Sequence, residues 1–340
     1  MAIQATNNET PTLKIAVIGA GSWATALVKI LSEKNVKIYW WFHREEDAEA
    51  VKQTGHNPRY LTNVMVSKTK VKPTHNLQKA IQQAQIVFLV VPSAYVLDVI
   101  NQLSPGDFHH KLIVSAIKGI IPGSNVLITD YLTNHFLVNK DQMFIIGGPC
   151  HAEEVALEKQ SYLTLAGQNA ESAQFIADLM RCTYISIKTS DDLYGIEFAA
   201  VLKNIVALAC GICHGLGYGD NFQAVLVSNA MQEMRAFLSA LKVSDRDLFQ
   251  SAYLGDLLVT AYSTFSRNRT FGNMIGRGYT VKAAKIELGM VAEGYFAVKS
   301  VYEMMQNHQT NMPIVNAVYN VLYKGNNCRE EMELLQNKLS

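Results

Sequence analysis

Lys203 and Asn204 interrupt an otherwise apolar stretch, Gly195 to Gly211 (GIEFAAVLKNIVALACG), that reads as a deeply buried helix. Glu197 lies in the same run, seven residues before Asn204 and on nearly the same face. Lys203 sits about 100° round from Asn204. Burial strips water from an ammonium group, disfavours its charged form and lowers its pKa. A lysine so placed can exchange a proton near neutral pH, as acid–base chemistry on a hydroxyl or carbonyl requires. On the helix alone, a lysine snorkelling into solvent is the commoner outcome. Other polar islands reverse that balance. Asp256 lies between apolar stretches, where an unpaired carboxylate is costly, so a cationic partner such as Lys203 is expected. Ser266-Arg267-Asn268-Arg269 joins a hydroxyl and two guanidinium groups at a helix start, which suits a phosphate dianion. Taken singly, Asp256 would be a helix cap and the arginines a solvated face.

The elements that must position these groups are legible upstream. Leu13–Ile18 is a short apolar strand that runs into Gly19-Ala20-Gly21-Ser22-Trp23-Ala24, then a helical pattern, then a second strand, Val36–Phe42. Strand, glycine turn, helix and strand in about 30 residues make the dinucleotide-binding unit in its G-x-G-x-x-A form. Its glycines let the backbone approach a pyrophosphate, which the helix N-terminus stabilises. His43-Arg44 stands where an NAD-specific site carries an acid. Arg44 suits a 2′-phosphate, so NADP is favoured as cofactor, with NAD tolerated.

Further strands are expected at 85–91, 112–117, 143–146, 162–166 and 184–187, with helices near 76–83, 94–103, 124–136 and 170–181. The alternation predicts a Rossmann-type α/β doubly wound, largely parallel sheet. Its third and fourth strands end in Val91-Pro92-Ser93 and Lys118-Gly119, at the carboxyl edge where such folds bind ligands. Lys118 is therefore a candidate contact. After residue 187 helical periodicity takes over, which divides the chain into a dinucleotide-binding domain, 1–190, and an all-α C-terminal domain, 191–340. That half also carries Gly215–Asn221 and Val291-Ala292-Glu293-Gly294.

Composition narrows the function. A net charge of +1 gives no electrostatic case for nucleic acid or an acidic membrane. The opening MAIQATNNETPT lacks the basic and apolar regions of a signal peptide. No uninterrupted apolar run approaches the ~18 residues of a membrane span. Five cysteines, irregularly spaced, suit reduced thiols in the cytosol. Cys210-Gly-Ile-Cys213-His214 matches a haem-attachment pattern, but it ends a buried-looking helix and has no second ligand pair for zinc. It reads as accidental, and no metal is expected. No G-x-S-x-G supports serine acyl transfer.

The blocks GAGSWATAL (19–27), VVPS (90–93), IKG (117–119), GGP (147–149), LKNIVALACGICHGLGYGDN (202–221), YLGDLLVT (253–260), SRNR (266–269) and VAEGY (291–295) occur in this order. In that combination the chain resembles the NAD(P)-dependent glycerol-3-phosphate dehydrogenases over nearly its whole length. The resemblance implies a two-domain cytoplasmic enzyme, a homodimer, interconverting glycerol 3-phosphate and dihydroxyacetone phosphate and feeding glycerophospholipid synthesis. It implies cofactor contacts at Ser22, Trp23, Lys118, Ala152, Val291 and Glu293, and at Arg267, beside the Gly19–Gly21 turn and His43-Arg44. It implies substrate contacts at Lys118, Gly148, Asp256, Ser266, Arg267 and Asn268, and makes Lys203 the proton acceptor. Lys118 and Asn204 would then polarise the developing alkoxide, and Asp256 would hold Lys203. Three positions depart from the family pattern. Ala24 stands for a glycine, Cys150-His151 for a threonine and an aromatic at the substrate, and His43-Arg44 at the nucleotide.

Two other readings compete. One is a dehydrogenase of similar build acting on a β-hydroxy acid, against which Ser266-Arg267-Asn268 argues as a phosphate clamp. The other is a non-catalytic nucleotide sensor, which would have no need of Lys118, Lys203 and Asp256 together.

Overall fold

The computed structural model describes residues 12–243 and 246–340. The segment read above for a signal peptide lies outside them, except for its last residue. Strands β1 (Leu13–Ile18), β2 (Val36–Trp41), β3 (Val71–Thr74), β4 (Ile86–Leu89), β5 (Leu112–Ser115), β6 (Met143–Gly147), β7 (Ser161–Gly167) and β8 (Ile185–Ser190) form one sheet. Their order is β3-β2-β1-β4-β5-β6-β7-β8. Neighbours are parallel from β3 to β6, β7 runs antiparallel to β6, and β8 is parallel to β7. The direction of strand succession reverses between β1 and β4, and a crevice opens there at the carboxyl ends.

Helices α1 (Ser22–Ser32), α2 (Glu45–Thr54), α3 (Leu77–Gln82), α4 (Val96–Ile100), α5 (Ile128–Phe136), α6 (Ala152–Ala156) and α7 (Ala170–Met180) cover the sheet. Apolar side chains of α1, α2, α6 and α7 pack on one face, and those of α3, α4 and α5 on the other. The doubly wound architecture expected from the alternating pattern is present. Three elements were not anticipated: β3, α2 and α6. β3 is four residues long and contains Lys72 and Pro73, which only an edge strand accommodates. The span 94–103 resolves into a 3₁₀ turn, Ser93–Tyr95, and α4. The helix expected from 124 starts at Ile128, because a bridge between Ile121 and Val126 occupies the residues before it.

Beyond β8 the described chain is helical: α8 (Leu193–Gly215), α9 (Asp220–Ala240), α10 (Asp256–Tyr262), α11 (Arg267–Gly276), α12 (Val281–Leu288), α13 (Glu293–Asn307), α14 (Pro313–Tyr319) and α15 (Cys328–Gln336). The Asp192 side chain caps α8 by accepting from the Gly195 N–H at 3.1 Å. Every residue from Gly195 to Cys213 is buried. By length and composition α8 is long and apolar enough to cross a membrane, although Lys203 and Asn204 break its apolar run. Its apolar window is wholly enclosed by protein.

Glycines determine how closely α8 is enclosed. Gly211 and Gly215 of α8 face Gly272 and Gly276 of α11, and a Cβ on any of the four would overlap backbone of the opposite helix. A Cβ on Gly294, in the first turn of α13, would lie 2.5 Å from the Asn204 carbonyl oxygen. α11 is thus set directly against the C-terminal third of α8, and the first turn of α13 against its middle. Gly272→Ala should destabilise the protein by about 1–3 kcal/mol or more, since the added methyl meets rigid backbone. It should also lower activity, because Ser266, Arg267 and Asn268 ride on α11. Gly106→Ala, whose Cβ meets nothing within 4 Å, is the control. Thermal melts showing equal Tm for both variants would mean that α8 and α11 separate without cost.

Candidate active site

The turn after β1 is built to admit an anion. Gly19 has φ +125°, and a Cβ there would lie 2.5 Å from the Val90 carbonyl oxygen. Trp40 Nε1 donates to the Gly19 carbonyl at 2.8 Å, and Asn57 Nδ2 donates to the Ala20 carbonyl at 2.9 Å. Gly21 is the N-cap of α1 without any side-chain cap, so the first-turn N–H groups stay open. Trp23 Nε1 is buried nearby with no hydrogen-bond partner. A cleft of about 1060 Å³ continues from this turn past His43 and Arg44 to Lys285, Val291 and Arg267. Arg59 on its wall is tied to Asp47 at 2.8 Å, whereas Arg44 makes no ion pair among the described residues. A bare helix N-terminus, an orphan indole N–H and a free guanidinium at the end of β2 fit a dinucleotide bearing phosphates.

A smaller cavity of about 190 Å³ adjoins the cleft, sharing Gly21, Val91, Pro92, Arg267 and Val291 with it. Lys203 opens into it from α8 while remaining 3% exposed. Its ammonium donates to Asp256 Oδ1, and Asp256 itself is buried behind it. Asp256 starts α10 directly after a π-helical turn, Ser251–Gly255, of the kind that recurs at functional sites. The Thr260 hydroxyl donates to the Asp256 backbone carbonyl at 2.6 Å and steadies that start. Burial pulls the Lys203 pKa down to about 7, the Asp256 carboxylate opposes this, and the neighbouring Lys118 ammonium adds to the lowering. The snorkelling alternative is excluded by this burial.

Amide side chains link the sheet edge to the helices. Asn204 Nδ2 donates to the Lys118 carbonyl at 2.9 Å, and Asn204 Oδ1 accepts from Asn268 Nδ2 at 2.9 Å. Asn268 Oδ1 in turn accepts from the Gly294 N–H at 2.9 Å. Beside this chain the Glu293 carboxylate accepts from the Ser93 N–H at 3.0 Å and from the Ser93 hydroxyl. Burial raises the Glu293 pKa, against the Ser93 hydrogen bonds and the charges of Arg267 and Lys118. Gly119 leaves the space for this clamp, since its Cβ would overlap Ser93 and lie 2.8 Å from the Glu293 carboxylate. The sequence blocks VVPS, IKG and VAEGY thus meet at one point.

Ser266 caps α11 through its hydroxyl oxygen, which accepts from the Arg269 N–H at 3.3 Å. The hydroxyl proton remains available. Arg267, in the first turn, borders both cavities and makes no ion pair among the described residues. Arg269 lies on neither wall.

Of the residues singled out from sequence, Gly19, Gly21, Ser22, Trp23, His43, Arg44, Lys118, Cys150, Ala152, Lys203, Asn204, Ser266, Arg267, Asn268, Val291 and Glu293 line these two cavities. Asp256 stands behind Lys203. Gly148 lies off the walls: at φ +101° it turns the chain after β6, with its Cβ position 2.9 Å from the Tyr162 carbonyl oxygen. Glu197 is directed away to Thr129, whose hydroxyl donates to it at 2.5 Å, and burial raises its pKa to about 8. Thr260, Phe265 and His151 also line the smaller cavity. Thr260 was legible as the residue one turn after Asp256; nothing in the local sequence marked Phe265.

Residues 14–173 match the family described as NAD-dependent glycerol-3-phosphate dehydrogenase N-terminus, and residues 192–333 its C-terminus. The glycerol-3-phosphate dehydrogenase [NAD(P)+] of Ligilactobacillus salivarius is 34% identical over 331 residues, 96% of this chain and 98% of that protein. The Oceanobacillus iheyensis protein of the same name is 31% identical over 325 residues, 96% and 94% of the two chains. The crystal structure of glycerol-3-phosphate dehydrogenase from Coxiella burnetii superposes with a TM-score of 0.90 at 29% identity, covering 96% of this chain and 99% of that one.

The pair at the centre of the cavity carries its own test. Nζ nuclear magnetic resonance should show Lys203 losing its proton as pH rises through about 7. Asp256→Asn should move that titration to lower pH, because the carboxylate is what holds the proton on. A titration that Asp256→Asn leaves in place would mean the two groups are not coupled.

Proposed function

The chain belongs to the NAD-dependent glycerol-3-phosphate dehydrogenase family, and from that premise we propose how its residues divide the reaction. It is an NAD(P)-dependent oxidoreductase that interconverts sn-glycerol 3-phosphate and dihydroxyacetone phosphate. When bound, the dinucleotide would supply the hydride chemistry at C2, acceptance in oxidation and donation in reduction. Gly19, Gly21, Ser22, Trp23, Arg44, Val291 and Glu293 would hold the dinucleotide, with the pyrophosphate against the α1 N-terminus. Neutral Lys203 takes the C2 hydroxyl proton; as ammonium it gives that proton to the ketone oxygen. Asp256 sustains the ammonium form and Lys118 draws charge onto the oxygen. Ser266 and Arg267, at the N-terminus of α11, hold the phosphate, and Asn204 and Asn268 keep that clamp in register with Lys203.

The observation that carries this reading is the buried Lys203–Asp256 pair opening onto a helix N-terminus with an unpaired arginine. A phosphate clamp in that place favours the phosphorylated substrate over a β-hydroxy acid. We further propose the division at residue 190, a preference for NADPH resting on the free Arg44, and cytoplasmic action without nucleic acid or stable membrane insertion. The net charge of +1 and the complete enclosure of α8 support the last two. A homodimer is supported by Leu258 and Tyr262, exposed one turn apart on α10.

The direct test is purified protein with dihydroxyacetone phosphate, following NADPH and NADH consumption in parallel. Lys203→Ala should lower kcat by about 10²–10⁴-fold while the protein stays folded. In wild type, reduction should weaken and oxidation strengthen as pH rises through about 7. A wild type that prefers a carboxylated substrate would bring the β-hydroxy-acid reading forward.

Arg44→Ala tests the nucleotide assignment. It should raise KM for NADPH about tenfold or more, the worth of a charge-assisted contact, and leave that for NADH nearly unchanged. Equal effects on both would make Arg44 a surface charge only.

A further inference from the structure

His151 stands in the smaller cavity with no task in the scheme above. It is the N-cap residue of α6, yet its side chain makes no capping bond. The ring lies among Lys118, Cys150, Lys203 and Arg267, packed at 6.0 Å against the ring of Phe265. Nε2 is buried and has no hydrogen-bond partner among the described residues. Burial, followed by the charges of Lys118 and Lys203, lowers the His151 pKa, while the Val259 carbonyl, placed to accept from the ring, and Glu153 act the other way. The imidazole is therefore neutral at pH 7. A neutral ring has one N–H and one acceptor nitrogen. Whichever tautomer it adopts, the ring therefore keeps one acceptor nitrogen.

The substrate has a matching remainder. Its phosphate end belongs to Arg267 and its central oxygen to Lys203, which leaves a primary hydroxyl whose proton needs an acceptor. Most other side-chain acceptors nearby are committed; the Glu153 carboxylate, on the same wall, and the buried Asp256 Oδ2 have no partner among the described residues. Asn204 Oδ1 accepts from Asn268, Asn268 Oδ1 from Gly294, and the Glu293 carboxylate from Ser93. Thr260 is turned to the Asp256 carbonyl, and Asp256 lies behind Lys203, off the cavity wall. Lys118 is a donor only. Burial pushes the Cys150 thiol up to about 12, so it stays protonated and a weak acceptor.

We propose that His151 accepts the hydrogen bond of the substrate's primary hydroxyl, at the end remote from the phosphate, and so selects ligands that carry a hydroxyl there. The proposal rests on the reaction assigned above and adds the recognition of the third substituent.

The test compares dihydroxyacetone phosphate with hydroxyacetone phosphate, which lacks only that hydroxyl, in NADPH-dependent reduction. Wild type should prefer the former by about tenfold or more in kcat/KM, since the analogue leaves the buried ring nitrogen unpaired. His151→Leu should lose that factor on dihydroxyacetone phosphate alone, bringing the preference within about twofold. His151→Gln, which keeps a carbonyl acceptor, should retain most of it and serves if the leucine variant does not fold. A wild type indifferent to the missing hydroxyl overturns the proposal. So does a His151→Leu protein slowed equally on both substrates, which would reduce His151 to packing. A wild type that reduces neither ketone overturns the reaction itself and this proposal with it.

Discussion

The backbone-to-backbone approach of α11 and α13 to α8 is the constraint on which the site depends. Side chains between two helices normally hold the axes about 8–10 Å apart and can adjust by rotamer changes. Glycines at 211, 215, 272, 276 and 294 remove that cushion, so the helices rest on peptide groups. Peptide groups have no rotamers. The first turn of α11 is thereby fixed relative to Lys203, and the first turn of α13 relative to Asn204. The chain of amides from the Lys118 carbonyl through Asn204 and Asn268 to the Gly294 N–H spans the short distance left. Such a chain closes only if each member lies within a few tenths of an ångström of its neighbour.

That rigidity is what makes a buried lysine tolerable and useful. Taking an ammonium and a carboxylate out of water costs several kcal/mol each, recovered only where their geometry is good. Lys203 and Asp256 Oδ1 meet directly because α10 begins at the aspartate, whereas Asp256 Oδ2 is buried with no partner among the described residues. The same burial, with Lys118 close by, brings Lys203 into the range where it can both take and give a proton. On the same cavity, the unpaired Arg267 and the N–H groups at the start of α11 offer positive potential, set against the Glu293 carboxylate, which Ser93 already engages. Under the proposed division of roles, proton transfer and phosphate binding would be served by two helices in direct contact.

Local rules made much of this readable. The alternation of apolar strands with helices specifies a doubly wound sheet because strands buried on both faces must be continuously apolar. The glycine turn after β1 was recognisable since few other residues tolerate a positive φ there. Polar residues inside the apolar stretch 195–211 marked α8 as the helix that lines the site, because burying them uselessly is costly. Edge strand β3, with Lys72 and Pro73, carried no such signal, since an edge strand needs neither continuous burial nor a full ladder.

The sequence by itself determined which groups are present, which helix is buried and where the nucleotide turn lies; each is a matter of propensity and burial along a few consecutive residues. Only the tertiary structure decided how they are used. Glu197 and Asn204 share a face of α8, but one meets Thr129 and the other Lys118, because different elements cross that face at successive turns. Gly119 is needed for a clamp between Ser93 and Glu293, partners 200 residues apart. His151 looked like a departure from a pattern, and its Nε2 is seen to be buried without a partner only once Lys118, Lys203 and Phe265 are placed around it. Hydrogen bonding and desolvation depend on neighbours in space, and periodicity along the chain records only which side of an element is buried, not what lies against it.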